Sequence, residues 1–183
     1  ALPISLMTFE PHPREYFAHE NRPRRLTSLR EKIQLLEARG VDRLYIARFN
    51  QRLAGLTAEA FIEDVLIQGL GVRHLLIGDD FRFGKGRTGN FEMLRSVGEQ
   101  VGFTVEAMHT VDHEGERVSS SAVRAALAEG DMPHAARLLG RPYSISGRVL
   151  HGDKIGRTIG FPTANIQLKH RSPPLMGIYT VSV

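Results

Sequence analysis

The spacing of hydrophobic positions changes once along this chain. Up to Leu139, short apolar runs alternate with stretches of helical spacing; beyond Gly140-Arg141-Pro142, apolar residues fall on every second position. Residues 2–9 form a compact apolar run that predicts a buried strand, with Pro3 at its start. The strand opens without a preceding turn or helix, as in a chain cut in mid-domain, and Glu10-Pro11-His12-Pro13 stops it. Ser28-Leu29-Arg30-Glu31 has capping-box spacing, Leu29, Ile33 and Leu36 follow at helical intervals, and Gly40 supplies the stop. Residues 44–49 predict a second strand. Thr57 predicts the cap of a helix that turns Phe61, Ile62 and Val65 inward. A third strand follows over 72–77, then a helix from Asn90 to about Val101, then a fourth strand over 103–108. Strands alternating with helices predict an α/β fold with a parallel sheet and right-handed crossovers. Ligands of such sheets lie beyond the carboxyl ends of the strands. Polar clusters stand there at residues 10–13, 78–89 and around Arg117.

Two more helices are predicted, from Ser119 to about Leu127 and over 133–139. After them, residues 143–150 alternate with period two, and Ile166, Leu168 and 178–183 read as extended. This change of period predicts a domain boundary near Gly140, giving domains 1–140 and 141–183. There is no internal repeat and no low-complexity tract.

Composition narrows the partners. The 183 residues suffice for one domain and part of another, and 42% hydrophobic with 24% charged residues describes an ordinary globular chain. No apolar run approaches the roughly 20 residues that span a bilayer, and the first residues lack the basic leader of a signal peptide. The absence of cysteine excludes disulfides and thiolate metal sites and fits a cytoplasmic location. The net charge of +4 leaves nucleic acid, membrane surfaces and small phosphorylated ligands in view. The densest basic run, Arg22-Pro23-Arg24-Arg25, lacks the interleaved aromatics of a single-strand binder and reads as an exposed loop. Neither a nucleic-acid nor a membrane partner is expected.

The richest candidate site is Gly156-Arg157-Thr158-Ile159-Gly160-Phe161-Pro162-Thr163-Ala164-Asn165. Its glycines let backbone approach a bulky anion, and Thr163 and Asn165 offer a hydroxyl and a carboxamide to a phosphate with its magnesium ion. A second, Arg117-Val118-Ser119-Ser120-Ser121-Ala122-Val123-Arg124, sets three hydroxyls at a helix start between two arginines. Helix N-termini attract anions, and arginine binds phosphate bidentately. One serine suffices for a cap, which tilts the trio toward phosphate. A third, Gly78-Asp79-Asp80-Phe81-Arg82-Phe83-Gly84-Lys85-Gly86-Arg87-Thr88-Gly89, is balanced between a phosphate cradle and a flexible surface turn. His109 and His113 read as surface histidines, and His12, held between prolines, as a ligand contact or a turn residue. No nucleophile–base arrangement of a hydrolase is visible.

Taken in order, Thr8-Phe9-Glu10-Pro11-His12-Pro13, Gly78 to Gly84, Arg117 to Arg124 and Gly156 to Asn165 resemble the bacterial bifunctional riboflavin kinase/FMN adenylyltransferases, the prokaryotic FAD synthetases. The resemblance implies a Rossmann-like nucleotidyltransferase domain that moves AMP from ATP to FMN, releasing pyrophosphate and making FAD. It further implies the start of a riboflavin kinase β-barrel that phosphorylates riboflavin with ATP and Mg2+. It places Asp80 on the adenylate nucleotide, Arg117, Ser120 and Ser121 at the ATP phosphates with Ser119 and Arg124 close by as nucleotide-binding residues, and Glu10 and His12 at the border of that site. In the kinase it places Thr163 and Asn165 at phosphate and magnesium, with Gly156 and Gly160 in the turn beside them. The family's Gly-x-Phe-Asp-Gly-Val-His-x-Gly-His motif does not occur in this chain, and the kinase glutamate and flavin-binding part would lie beyond Val183. Ser121 stands where the family often has threonine. Two rivals remain at this point: a nucleotidyltransferase of the same superfamily with another acceptor, and a nucleotide-binding piece without turnover.

Overall fold

A computed structural model describes residues 3–18, 22–78, 80–152, 158, 160, 163–168 and 173–183. The four strands expected before Gly140 are β1 (Ser5–Glu10), β2 (Arg43–Arg48), β3 (His74–Gly78) and β4 (Thr104–Met108). They are hydrogen-bonded as two pairs, β1 with β2 and β3 with β4. β3 and β4 run parallel, from His74 opposite Thr104 to Gly78 opposite Met108. The Arg43 amide donates to the Ile4 carbonyl and the Phe49 amide to Glu10, six residues further on in each chain, so β1 and β2 are parallel too. The α/β expectation therefore holds, with the sheet formed as parallel pairs.

The helices begin where side chains satisfy their first amides. Ser28 and Glu31 cap α2 (Leu29–Glu37) reciprocally. Asn50 caps α3 (Gln51–Gly55), and Thr57 Oγ1 accepts the Ala60 amide at 3.1 Å to start α4 (Ala58–Ala60). α4 passes directly into a π-helical stretch, Phe61–Gly69. The expected inward face holds, with Phe61 and Ile62 buried and Val65 partly buried against the same core, and within the π stretch Leu66 joins it. Asn90 caps α5 (Phe91–Val101), which ends on left-handed Gly102. Elements without a counterpart in the sequence expectations include α1 (Pro13–Phe17), α3, the 3-10 turn Lys85–Arg87, and a hairpin of β5 (Asp112–His113) with β6 (Glu116–Arg117). α6 (Ser120–Glu129) and α7 (Met132–Leu139) follow, each closed by a left-handed glycine, Gly130 and Gly140.

After Gly140 the alternating pattern yields less strand than expected. Of residues 143–150 only β7 (Arg148–Leu150) forms, antiparallel to β8 (Asn165–Gln167), and 178–183 is not in a strand. The chain forms two compact units, one of Met7–Glu20 and Ile46–Val111, the other of Ala1–Leu6, Asn21–Tyr45 and Asp112–Val183. The first is cored by Ala58, Phe61, Ile62, Leu66, Leu94 and Phe103 with Phe83. The second is cored by Val123, Ala126 and Leu127 of α6 against Ala135 and Leu138 of α7.

Candidate functional site

The β6–α6 junction collects most of the predicted phosphate-binding residues. Glu114 and Gly115 both have positive φ, the requirement of a tight two-residue hairpin turn, and that turn sets Arg117 opposite Asp112. Ser119 is the cap: its Oγ accepts the Ala122 amide at 3.1 Å and its carbonyl the Val123 amide. Ser120 and Ser121 therefore open the helix with exposed hydroxyls that the cap does not use. Arg124 donates from Nη1 to the Ser120 carbonyl at 3.1 Å and from Nε to the Arg24 carbonyl at 2.6 Å. It thus braces the first turn of α6 and the basic loop around Arg24. His134 Nε2 lies 2.7 Å from Glu116 Oε2 and ties α7 to β6, a contact that sequence spacing did not reveal.

In the other unit, Glu10 closes β1 and His12 caps α1. His12 Nδ1 accepts the Arg14 amide at 3.2 Å, and Glu15 reaches back to the His12 amide at 3.4 Å. The display expected from the flanking prolines is thus a capping box. Beside it, Phe9, Tyr16, Phe17 and Phe49 meet edge to face at centroid distances of 5.2 to 5.8 Å. Phe17 is 61% exposed and Tyr16 38%. Sequence reading missed this patch because its members come from three separate elements. The signal available was the Tyr16-Phe17 pair directly after the Pro-His-Pro stop.

Asp80 is exposed in the turn after β3, its Oδ1 folded back toward Gly78; Asp79 lies outside the described residues. The glycines that follow decide between cradle and flexible turn differently from either expectation. Gly84 has φ +74, and a Cβ there would stand 2.6 Å from the Ala58 amide nitrogen. A Cβ on Gly89 would stand 2.5 Å from the Phe83 ring. Phe83 is buried against Phe61 and stacked on Phe81. These two glycines serve packing, and the loop is pinned rather than flexible.

Beyond Gly140, β7 and β8 align Leu150 with Asn165. The Asn165 carboxamide lies against Gly152, where a Cβ would collide with its Nδ2. Thr163 and Asn165 are exposed, and Gly160 has φ +79 with no atom near its absent side chain. Gly156 lies outside the described residues. The two oxygen donors fit the hard, oxygen-preferring chemistry of Mg2+, which takes few protein ligands and completes its shell with water and substrate phosphate.

A half-buried carboxylate of the second unit was also missed. Glu31 accepts the Ser28 amide at 2.6 Å, the Ser146 amide at 2.7 Å and the Ser146 hydroxyl at 2.8 Å. Burial pushes its pKa up, but these hydrogen bonds outweigh burial and hold it below the ordinary value. Burial, and then the Glu31 charge, pushes the nearby Tyr143 hydroxyl up.

The family model for FAD synthetase matches residues 1–122. The chain belongs to the FAD synthetase family. The family model for riboflavin kinase matches residues 139–183. The chain is 50% identical over 182 residues to the bifunctional riboflavin kinase/FMN adenylyltransferase of Escherichia coli K12, and 52% identical to that of Pseudomonas fluorescens. Both alignments cover 100% of this chain but 58% of the relative, so the chain spans little more than half the length of the curated proteins it matches. A crystal structure of a macrolide-efflux protein from Streptococcus pneumoniae superposes with TM-score 0.78 at 31% identity, over 96% of this chain and 57% of that one. The likeness carries the fold, and the efflux in that name is said of that protein. Among the described residues, no helix of this chain is long and apolar enough to cross a membrane.

Proposed function

We propose that the protein carrying this chain makes FAD in two ATP-dependent steps. The observation that carries the reading is the tandem of matches, FAD synthetase over 1–122 and riboflavin kinase over 139–183, with 50% identity to a bifunctional enzyme across both. In the first step the riboflavin 5′-hydroxyl attacks the γ-phosphorus of ATP, the bond to the bridging oxygen breaks, and ADP leaves. In the second an FMN phosphate oxygen attacks the α-phosphorus of a second ATP, and pyrophosphate leaves. Phosphoryl transfer of this kind depends on positioning and charge neutralisation. The boundary between the two modules falls near Gly140, whose left-handed backbone ends α7 just before Pro142.

In the adenylyltransferase, Arg117 and the exposed hydroxyls of Ser120 and Ser121 hold the ATP phosphates at the α6 N-terminus, with Ser119 and Arg124 fixing that turn. Within the first unit, Asp80 contacts the adenylate nucleotide, Glu10 and His12 serve nucleotide binding, and the exposed faces of Tyr16 and Phe17 suit a flat ring such as a flavin's. In the kinase, Thr163 and Asn165 hold phosphate and Mg2+, with Gly156 and Gly160 in the turn beside them. When bound, the ion neutralises phosphate charge; Thr163 and Asn165 orient the nucleotide beside β8. A cytoplasmic enzyme without disulfides fits the absence of cysteine. A nucleotidyltransferase with another acceptor would leave the riboflavin kinase match at 139–183 without a role.

The test supplies the purified full-length protein with Mg-ATP and either riboflavin or FMN, and separates the flavins by chromatography. The reading expects FMN from riboflavin, FAD from FMN, and one pyrophosphate per FAD. ATP binding without conversion of either flavin would overturn it.

A further inference from the structure

The roles above use Asp80 and leave the loop behind it, residues 83–89, without a task. That loop is locked at its base. Phe83 and Gly89 exchange backbone hydrogen bonds at 3.0 and 3.2 Å, the Lys85 amide donates to the Leu56 carbonyl at 2.7 Å, and Gly84 lies flush on Ala58. Thr88 Oγ1 reaches the Lys85 carbonyl at 3.4 Å. At the tip, Gly86 and Arg87 both have positive φ, +70 and +59. Glycine adopts this backbone without strain, whereas a long side chain such as arginine does so only against steric cost. A loop serving only as a turn would take Gly or Asn at position 87.

Charge gives the second observation. Arg82, Lys85 and Arg87 are all exposed, and residues 81–91 contain no carboxylate. Arg82 donates to the neighbouring Phe81 carbonyl at 2.9 Å. Among the described residues, none of the three cations forms an ion pair. Asp80 and Glu92 flank the segment, and between them Arg82, Lys85 and Arg87 stand together on a support fixed by the Phe83–Gly89 and Lys85–Leu56 hydrogen bonds.

We infer that the 83–89 loop is an anion-binding element in which Lys85 and Arg87, with Arg82 beside them, take a terminal phosphate dianion. The inference deepens the proposed adenylyl transfer and rests on it for the source of the ligand. Two substrates of that reaction carry the required chemistry: the 5′-phosphate of FMN and the polyphosphate of ATP, which leaves as pyrophosphate. A pre-shaped loop binds such a group without first losing the conformational freedom of its backbone.

The test titrates the purified full-length protein with pyrophosphate, ATP, FMN and riboflavin by calorimetry at one fixed salt concentration. Variants are Arg87→Gly and Lys85→Gln, with Arg52→Gln as a control for net charge. Arg87→Gly removes the charge while relieving the backbone, so it melts no lower than wild type and loses anion affinity roughly tenfold, the usual size of one lost charge-assisted contact. A loss confined to FMN, with riboflavin unaffected, assigns the flavin phosphate; a loss for pyrophosphate and ATP assigns the nucleotide. The inference is overturned if both loop variants bind every anion as the Arg52→Gln control does, or if wild type binds no anion. Wild type binding ATP and FMN with unchanged variants removes the loop and leaves the proposed function standing. Weakened pyrophosphate binding in a chain that takes up neither ATP nor FMN does the reverse.

Discussion

The helical part of the second unit and its strand-rich part differ in what they bury. In α6 and α7, Val123, Ala126, Leu127, Ala135 and Leu138 close on one another with no more than 6% exposure. After Gly140, Pro174 is the one buried residue described, and Val149, Leu150 and Ile166 of the β7–β8 pair remain exposed. A helix pair closes its apolar stripes on a neighbour a few residues away, and capping serves each end locally. A strand has neither resource: its backbone and its apolar face both need partners from elsewhere, and two strands alone are marginal. Alternating sequence therefore specifies a face to be covered, whereas capped helical sequence already specifies its structure.

Core truncation separates the two parts most widely. Leu127→Ala, at a position with 0% exposure, should cost about 3 kcal/mol in urea unfolding. Val149→Ala, at 62% exposure, should cost less than about 0.5 kcal/mol. Equal costs would break the comparison.

Glycines sharpen it next. Gly84→Ala combines φ +74 with a Cβ 2.6 Å from the Ala58 backbone and should destabilise by about 2 kcal/mol or more. Gly140→Ala has φ +66 but open space around the new methyl, so only the backbone cost of about 1 kcal/mol remains. A thermal melt of each variant compares them.

The serines at α6 come third. Ser119→Ala removes the cap and should cost about 1 kcal/mol. Ser120→Ala and Ser121→Ala should stay within about 0.5 kcal/mol in the same melts while weakening ATP binding. Stability loss at all three positions would assign the trio to folding alone.

The smallest effect belongs to the Glu31 contact with Ser146. Because the folded pKa is lowered, its stabilisation is complete above the ordinary value of 4.5 and fades as pH falls through the lower folded value. Glu31→Gln should cost about 0.5 kcal/mol at neutral pH and flatten the acid limb of the stability profile below 4.5. An unchanged acid limb would show that the contact contributes nothing.

What could be read from sequence follows the range of the interaction. The caps at Ser28, Thr57, Asn90 and Ser119 are three-residue events and were legible, as was the surplus of hydroxyls at Ser120 and Ser121. The His12 cap was not, because a histidine between prolines carries no usual capping signal. The π-helical turn buries Leu66 beside the expected Phe61, Ile62 and Val65, an addition that α-helical spacing did not reveal. Contacts across 18, 100 and 115 residues, His134 to Glu116, Arg124 to Arg24 and Ser146 to Glu31, had no local trace. The glycines of the 83–89 loop were visible as residues, but their packing against Ala58 and Phe83 was not.

Two separate grips on ATP, one at the α6 N-terminus and one beside β8, are tested most directly by crossed substitutions in the full-length protein. Asn165→Ala should abolish FMN formation from riboflavin and spare FAD formation from supplied FMN, and Arg117→Ala should do the opposite. Equal damage to both activities by each substitution, in variants that melt like wild type, would contradict two sites.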